Sequence, residues 1–436
     1  MRIFFLLLLA GCSCAGWGQT RREDIHTDFV LYNRRVALEK DLRERMIGRH
    51  FSLPLDSNSE DGYLSGCWAV EQFLFEGPEV QQGFDHLFAG YGVLGYDTRR
   101  ALLEAVYAVA PERYRREEAG LLEKEWDPHL FALCAVYLYR ADSSVGAADA
   151  LKIKLAERFP GYDTVPVLHE LVGWLGYHPP EVPDMGELLG WARGIKMIYS
   201  FQRRDRDYPG LAIVQNADGR FVRDEAGRLQ VFEQLARSGP ALPYFLTNGN
   251  TPQGVYSIQG TDISRTNFIG PTPNLQLLLP GEGADEPGQG GWGKYFHDTS
   301  ALTGSDSLVR YLSLLPPAWR RYKPMMEAWE AGVAGRTAII AHGTTIDPEY
   351  YRGRPFYPLT PTMGCLCAKE LWNVTSGHLL VSEQNNLVNA FLSTPGRRGF
   401  LVVVDVDDRR EAVSRAEVEG WVKAFESKNP RLGGGF

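Results

Sequence analysis

Apolar residues recur at helical spacing through the first part of the chain and at strand spacing through much of the second. From 28 to 190 the pattern predicts helices. The stretch 29–45 mixes apolar residues with Arg, Lys and Glu at helical intervals. Asp97-Thr98 is placed to cap a helix running to Val109, which Pro111 ends. Asp127-Pro128 predicts another start, with an apolar run over 130–139. Asp163-Thr164 precedes a periodic stretch through Leu175. Gly-Tyr-Asp-Thr occurs at 95–98 and again at 161–164, which fits either a degenerate helical repeat or shared capping chemistry.

Pro179-Pro180-Glu181-Val182-Pro183 is a stiff break, and the domain boundary falls near 179–195. Strands are predicted at 196–201, 211–215, 255–258, 338–341 and 400–406, with a hairpin turn at Asp218-Gly219. The segment 266–334 reads as an insertion, Gly/Pro-rich over 281–291 and helical over 307–331. A segment of that length is either a functional lid or a surface insertion. A short helix and tail occupy 407–436. The expected fold class is α+β: an all-helical domain over 28–190, then a β-rich domain over 195–406.

With 436 residues the chain has room for two or three domains. Apolar residues make up 44%, enough for at least one large core. The net charge of −8 argues against a nucleic-acid binder, which needs a basic face to neutralise phosphates. Six cysteines are too few for a disulfide scaffold. Cys67 and Cys134 sit in apolar, helical surroundings and read as small buried hydrophobes, although an oxidising compartment permits pairing.

The first residues read as targeting sequence. Arg2 is followed by the apolar run 3–9 and then by Leu9-Ala10-Gly11-Cys12. This resembles a bacterial lipoprotein signal. It implies a signal peptide over 1–11, a lipid on Cys12 and a tether over 12–27. The mature protein is then expected in the periplasm, held to a membrane, the outer one, by its lipid. An ordinary cleaved signal is the alternative.

Candidate chemistry lies in three short motifs: Thr251-Pro252-Gln253-Gly254, Ile340-Ala341-His342-Gly343 and Thr362-Met363-Gly364-Cys365. A thiol attacks carbonyl carbon as thiolate, so it needs an adjacent base or a lowered pKa. His342 ends an apolar run and is the candidate base. Gly364 permits a tight backbone before Cys365, and N–H groups there are candidates for an oxyanion site. A zinc reading with Cys365, Cys367 and His342 lacks a recognisable fourth ligand. A Cys365–Cys367 disulfide is a further option, one that would abolish the nucleophile.

In identity and order these motifs resemble the L,D-transpeptidase catalytic domain, a cysteine acyltransferase of peptidoglycan stem peptides. The resemblance spans about 195–406. It implies Cys365 as nucleophile, His342 as base, and the carbonyl of Gly343 as the group that orients the base. It also places Gly364, Thr362 and Met363 at the nucleophile turn and implies no cofactor. Met363 stands where the family usually has a second His, and Cys367 where it usually has Arg or Asn. Arg352 and Arg354 are candidates for the missing cation, or are simple surface charge. The implied partners are peptidoglycan stems and, through Cys12, a membrane; those of the helical domain are left open. The acceptor is an amine, giving cross-links or protein attachment, or water, giving carboxypeptidase or endopeptidase activity. A different class of function is a non-catalytic, lipid-anchored cell-wall binding protein. The catalytic reading expects a direct or nearly direct Cys365–His342 hydrogen bond, Cys365 reachable from solvent, Cys367 turned elsewhere, and 266–334 beside or over the cleft.

Overall fold

Along the strands, neighbouring side chains fall into two different apolar clusters. Met197, Tyr199 and Phe201 join one, with Phe400, Val402 and Val404; Ile198 joins the other, with Leu401 and Val403. Successive residues of a strand face opposite sides, so both faces of this sheet are covered. The computed structural model shows a closed barrel with an apolar interior and an apolar outer wall. It describes residues 20–192, 194–282, 291–298, 302 and 304–430. The strands are β1 (Met197–Gln202), β2 (Gly210–Gln215), β3 (Phe232–Leu235), β4 (Gly254–Ile263), β5 (Pro273–Leu278), β6 (Ile340–His342), β7 (Leu366–Ala368), β8 (Glu370–Trp372), β9 (Leu379–Ser382) and β10 (Gly399–Asp405). The barrel order is β1-β10-β4-β5-β6-β7-β3-β2, and β8 and β9 form a separate hairpin. The pairs β1–β10 and β6–β7 are parallel, the other barrel pairs antiparallel. Helix Glu383–Leu392 contributes Leu387, Val388 and Phe391 to the interior cluster.

Ahead of the barrel the described chain is helical up to Trp191, so the protein is of mixed α+β class. Asp127 caps helix Pro128–Ala141, accepting hydrogen bonds from the N–H groups of His129 (2.9 Å) and Leu130 (3.0 Å). Asp97 does not cap its helix. Gly95 takes the N-cap of Tyr96–Val109, and its N–H donates to Glu60 Oε1 at 2.7 Å. The second Gly-Tyr-Asp-Thr forms a 3-10 turn, Tyr162–Thr164, so the two copies do not share a structure. Residues 20–27, expected as tether, pack on the β8–β9 hairpin, where Ile25 is buried with Trp372 and Leu379. Cys12 and the signal segment lie outside the described residues. Among those described, no helix is long and apolar enough to cross a membrane.

The segment 266–334 differs from the expected insertion in two ways. It contains β5, a barrel strand with Leu275 and Leu277 directed into the interior cluster. Its helices then cover the outer face of β4 and β10, where Tyr295 Oη donates to Val255 O (2.7 Å) and Tyr311 Oη accepts from Val255 N–H (3.2 Å). In barrel order β4 stands three strands from β7 and β10 four. Most of the helices therefore lie away from Cys365. The last, Glu327–Val333, runs beside the site, with Ala328 and Ala331 in the cluster of Ala341 and Leu366 and Ala331 O accepting from the Arg336 N–H (2.9 Å). Tyr295, Tyr311, Trp319 and Met325 are buried instead against Tyr199, Val255, Phe400 and Val402, the larger apolar surface. The Gly/Pro-rich stretch 281–291 lies mostly outside the described residues, at 283–290.

The helical segment and the barrel share a core. Leu242, Phe245 and Leu246 from one barrel loop, and Tyr351, Phe356 and Leu359 from another, belong to the cluster formed by residues 42–175. Glu118 is sealed in that cluster beside the Cys134 thiol, and no described cation pairs with it. Burial pushes its carboxyl up to about 8, against a hydrogen bond with Cys134 that pulls the other way. The native protein thus keeps a proton that the unfolded chain releases near the ordinary glutamate value. Stability from this group is full below that value and is lost as pH rises towards about 8, at ~1.4 kcal/mol per pH unit where the two states differ by one proton. Glu118→Gln is therefore expected to flatten the fall in urea midpoint between pH 5.5 and 7.5. An unchanged slope would show that Glu118 does not hold that proton.

Candidate active site

The three motifs meet at β6 and β7. Ala341 and Leu366, paired in register, both belong to the interior cluster. Their neighbours His342 and Cys367, also in register, therefore face out of the barrel. Cys365 stands in the bend just before β7, with its Sγ against the backbone that leads into β6. Alternation along the strand is no basis for the expected separation of the two thiols, because residues two apart share a face. Cover distinguishes the two thiols. Cys367 is buried under the segment 344–362, with Thr360 Oγ1 3.5 Å from its Sγ, and burial pushes it up to about 12. Cys365 stays partly accessible. Both are free thiols, as are Cys67 and Cys134.

The turn before Cys365 is built from both flanking motifs. Gly364 has φ +112°, a conformation that L side chains rarely adopt. Its carbonyl accepts from Thr251 Oγ1 (2.9 Å) and its N–H donates to Thr362 Oγ1 (3.1 Å). Thr362 Oγ1 in turn donates to Cys365 O at 2.8 Å. Thr251 and Thr362 thus fix the peptides on each side of the thiol, and half-buried Met363 lies between them.

His342 is 5% exposed, and burial pushes its pKa down to about 4, so the ring is neutral at ordinary pH. Its Nδ1 lies 2.5 Å from Gly343 O. A carbonyl only accepts, so Nδ1 carries the proton and Nε2 is left with the lone pair. The Cys365 thiol does not reach the imidazole. Its Sγ lies 3.7 Å from Ala338 O, and Ile340 N–H points at it from 3.5 Å. The register explains this difference from the expected contact: His342 pairs with Cys367, and the Cys365 thiol meets the backbone of Ile340 instead.

The nearby cation is neither expected arginine. Arg352 pairs with Glu349 and Arg354 with Glu76, both as surface ion pairs. Arg336 is buried against the nucleophile turn, its Nη2 2.3 Å from where a Cβ on Gly364 would lie. It donates to the carbonyls of Tyr244, Asn250 (2.8 Å) and Gly249 (2.9 Å). No described carboxylate balances its charge, and burial lowers its pKa to about 10. Burial raises the Cys365 pKa, while the Ile340 N–H and the Arg336 charge lower it. The helical segment supports the loop holding Arg336: Tyr244 Oη bonds Glu170, and Asn248 Nδ2 donates to Glu104 Oε2 at 3.0 Å. In sequence, the only sign of Arg336 was a lone cation just ahead of an apolar strand.

Among the described residues no group of three or more His, Cys, Asp or Glu is placed to hold a metal ion. The arrangement offers an accessible thiol, a neutral imidazole with a fixed tautomer and an unbalanced buried cation. Those are the parts of a nucleophilic acyl transfer. No protein-family model, no curated protein and no solved structure matches this chain.

Proposed function

We propose that this protein is a peptidoglycan L,D-transpeptidase in which Cys365 carries the acyl group. What supports the reading most is the bond from Thr251 Oγ1 to Gly364 O, which ties the Thr-Pro-x-Gly motif to the Gly-Cys turn beside His342. In the reaction the Cys365 thiol turns from Ala338 O towards His342 Nε2, gives up its proton there and attacks the carbonyl at the L-centre of a stem diamino acid. The C–N bond to the following D-residue breaks, and the leaving amine takes that proton. An acceptor amine then attacks the thioester, loses its proton to His342 and frees the thiol. Arg336 favours thiolate and developing oxyanion by its charge. A lipid on Cys12 holds the enzyme near its polymeric substrate in the periplasm.

The test uses purified tetrapeptide muropeptides with wild type and Cys365→Ser, products being read by mass spectrometry. Wild type is expected to give dimers that have lost the terminal D-residue, and the variant none. Shortened stems without dimers would identify water as the acceptor. Unchanged muropeptides with wild type would overturn the proposal and leave a binding role.

A further inference from the structure

We propose that Glu370 is the positioning residue for His342, acting through the peptide that joins Gly343 to Thr344. The inference rests on the reading of His342 as the base. The carbonyl of that peptide accepts from His342 Nδ1 (2.5 Å), and its N–H, on Thr344, donates to Glu370 Oε2 (2.8 Å). In a trans peptide the C=O and N–H point in opposite directions. Carboxyl, peptide and imidazole therefore form one hydrogen-bonded line. An acceptor on the N–H polarises the peptide and makes its carbonyl a better acceptor for the imidazole proton. The effect is greatest as His342 gains positive charge during catalysis.

Three further observations fix this line. A Cβ on Gly343 would lie 2.1 Å from the Glu370 carboxyl carbon, so the carboxyl fills the space that a side chain at 343 would need. Ser382 Oγ donates to Glu370 Oε1 at 2.6 Å from the paired residue of β9. Trp372 Nε1 donates to Thr344 O at 2.8 Å, and Gln384 Nε2 to Ala341 O at 2.9 Å, so the backbone on either side is also held. Glu370 is 2% exposed and pairs with no described cation; Lys369 beside it is engaged by Glu233. The neighbouring titratable groups are Cys367 and His342 on β7 and β6. Burial pushes the Glu370 carboxyl up to about 8, against the hydrogen bonds from Ser382 and the Thr344 N–H. The Ser382 hydroxyl donates or accepts, so it accommodates both protonation states. Ionisation near that pH strengthens the pull on the peptide.

The experiment is ¹⁵N and ¹H NMR of the His342 ring in the full mature chain, from pH 6 to 9.5. It needs no turnover, so it stands even if the muropeptide assay fails. Wild type is expected to show a single Nδ1–H tautomer whose proton resonance moves downfield in a step near pH 8. Glu370→Gln keeps an acceptor for Thr344 N–H, so it should retain the tautomer and lose the step. Glu370→Ala, where folded, should lose the tautomer preference as well. Absence of the step in wild type, or its persistence in Glu370→Gln, would overturn the proposal. A purely packing role for Glu370 predicts one of those two results.

Discussion

Under the proposed transpeptidase reading a carbapenem, a β-lactam acylating agent, is expected to form a covalent adduct that Cys365→Ala abolishes and Cys367→Ala retains. Intact-mass measurement reads both. Cys67, Cys134 and Cys367 are buried, with burial raising each thiol's pKa; Cys365 alone among the described cysteines is partly accessible. Loss of a nucleophile typically removes at least on the order of a thousandfold of rate. The pH dependence of adduct formation should carry the signature of the pair. His342 is neutral above about 4, so no limb is expected near an ordinary histidine value of about 6.5. The Cys365 thiol is raised by its burial, so the rate should climb through the alkaline range as thiolate accumulates. An adduct located on Cys367, or undiminished in Cys365→Ala, would remove Cys365 from its role. An additional limb near pH 6.5 would show that His342 is less secluded than its burial implies.

What the sequence showed and what it hid follow from how far each signal reaches along the chain. The strands at 196–201, 211–215 and 400–406 were legible because six or seven consecutive residues are buried on both faces and are correspondingly apolar. The Asp127 cap was legible because an N-cap is local chemistry. Strand β5 was present as alternation, Asn274 and Gln276 against Leu275 and Leu277, but lay inside a segment taken whole as an insertion. Strand β6 was anticipated in the apolar run 338–341, whereas β7 and β8 have three residues each, too few to show a period. The sequence named Thr251, His342, Gly343, Thr362, Gly364 and Cys365 as candidates; the structure ties Thr251 and Thr362 to the Gly364-Cys365 turn and His342 to Gly343, without a bond between thiol and imidazole. Arg336 and Glu370 were not. A lone charged residue in sequence reads as surface, and its burial depends on which strand closes beside it. Arg352 and Arg354 were weighed as the missing cation or as surface charge; they stand near Cys365 along the chain but pair with Glu349 and Glu76 at the surface, and electrostatic influence follows distance in space.

Arg336→Gln is expected to raise the pKa of the Cys365 thiol, because a close unbalanced positive charge favours the thiolate. The charge sits against Gly364, the residue before the nucleophile, and no described carboxylate cancels it. The pH dependence of Cys365 alkylation, followed by mass on the unmodified peptide, measures the shift directly. Arg336→Lys should fall between wild type and Arg336→Gln. It keeps a positive charge but exchanges a planar fork for a compact ammonium. Stability is expected to drop in both variants, because the carbonyls of Tyr244, Gly249 and Asn250 lose some or all of their donors. A buried acceptor left without a partner costs about 1–3 kcal/mol. The two effects separate. Damage to the loop alone would lower the melting temperature in both variants and leave the thiol titration where it was. Loss of the charge moves the titration in Arg336→Gln far more than in Arg336→Lys. Equal thiol titrations in wild type and a folded Arg336→Gln would show that Arg336 only holds the loop, and that Cys365 is activated by His342 and the Ile340 N–H without it.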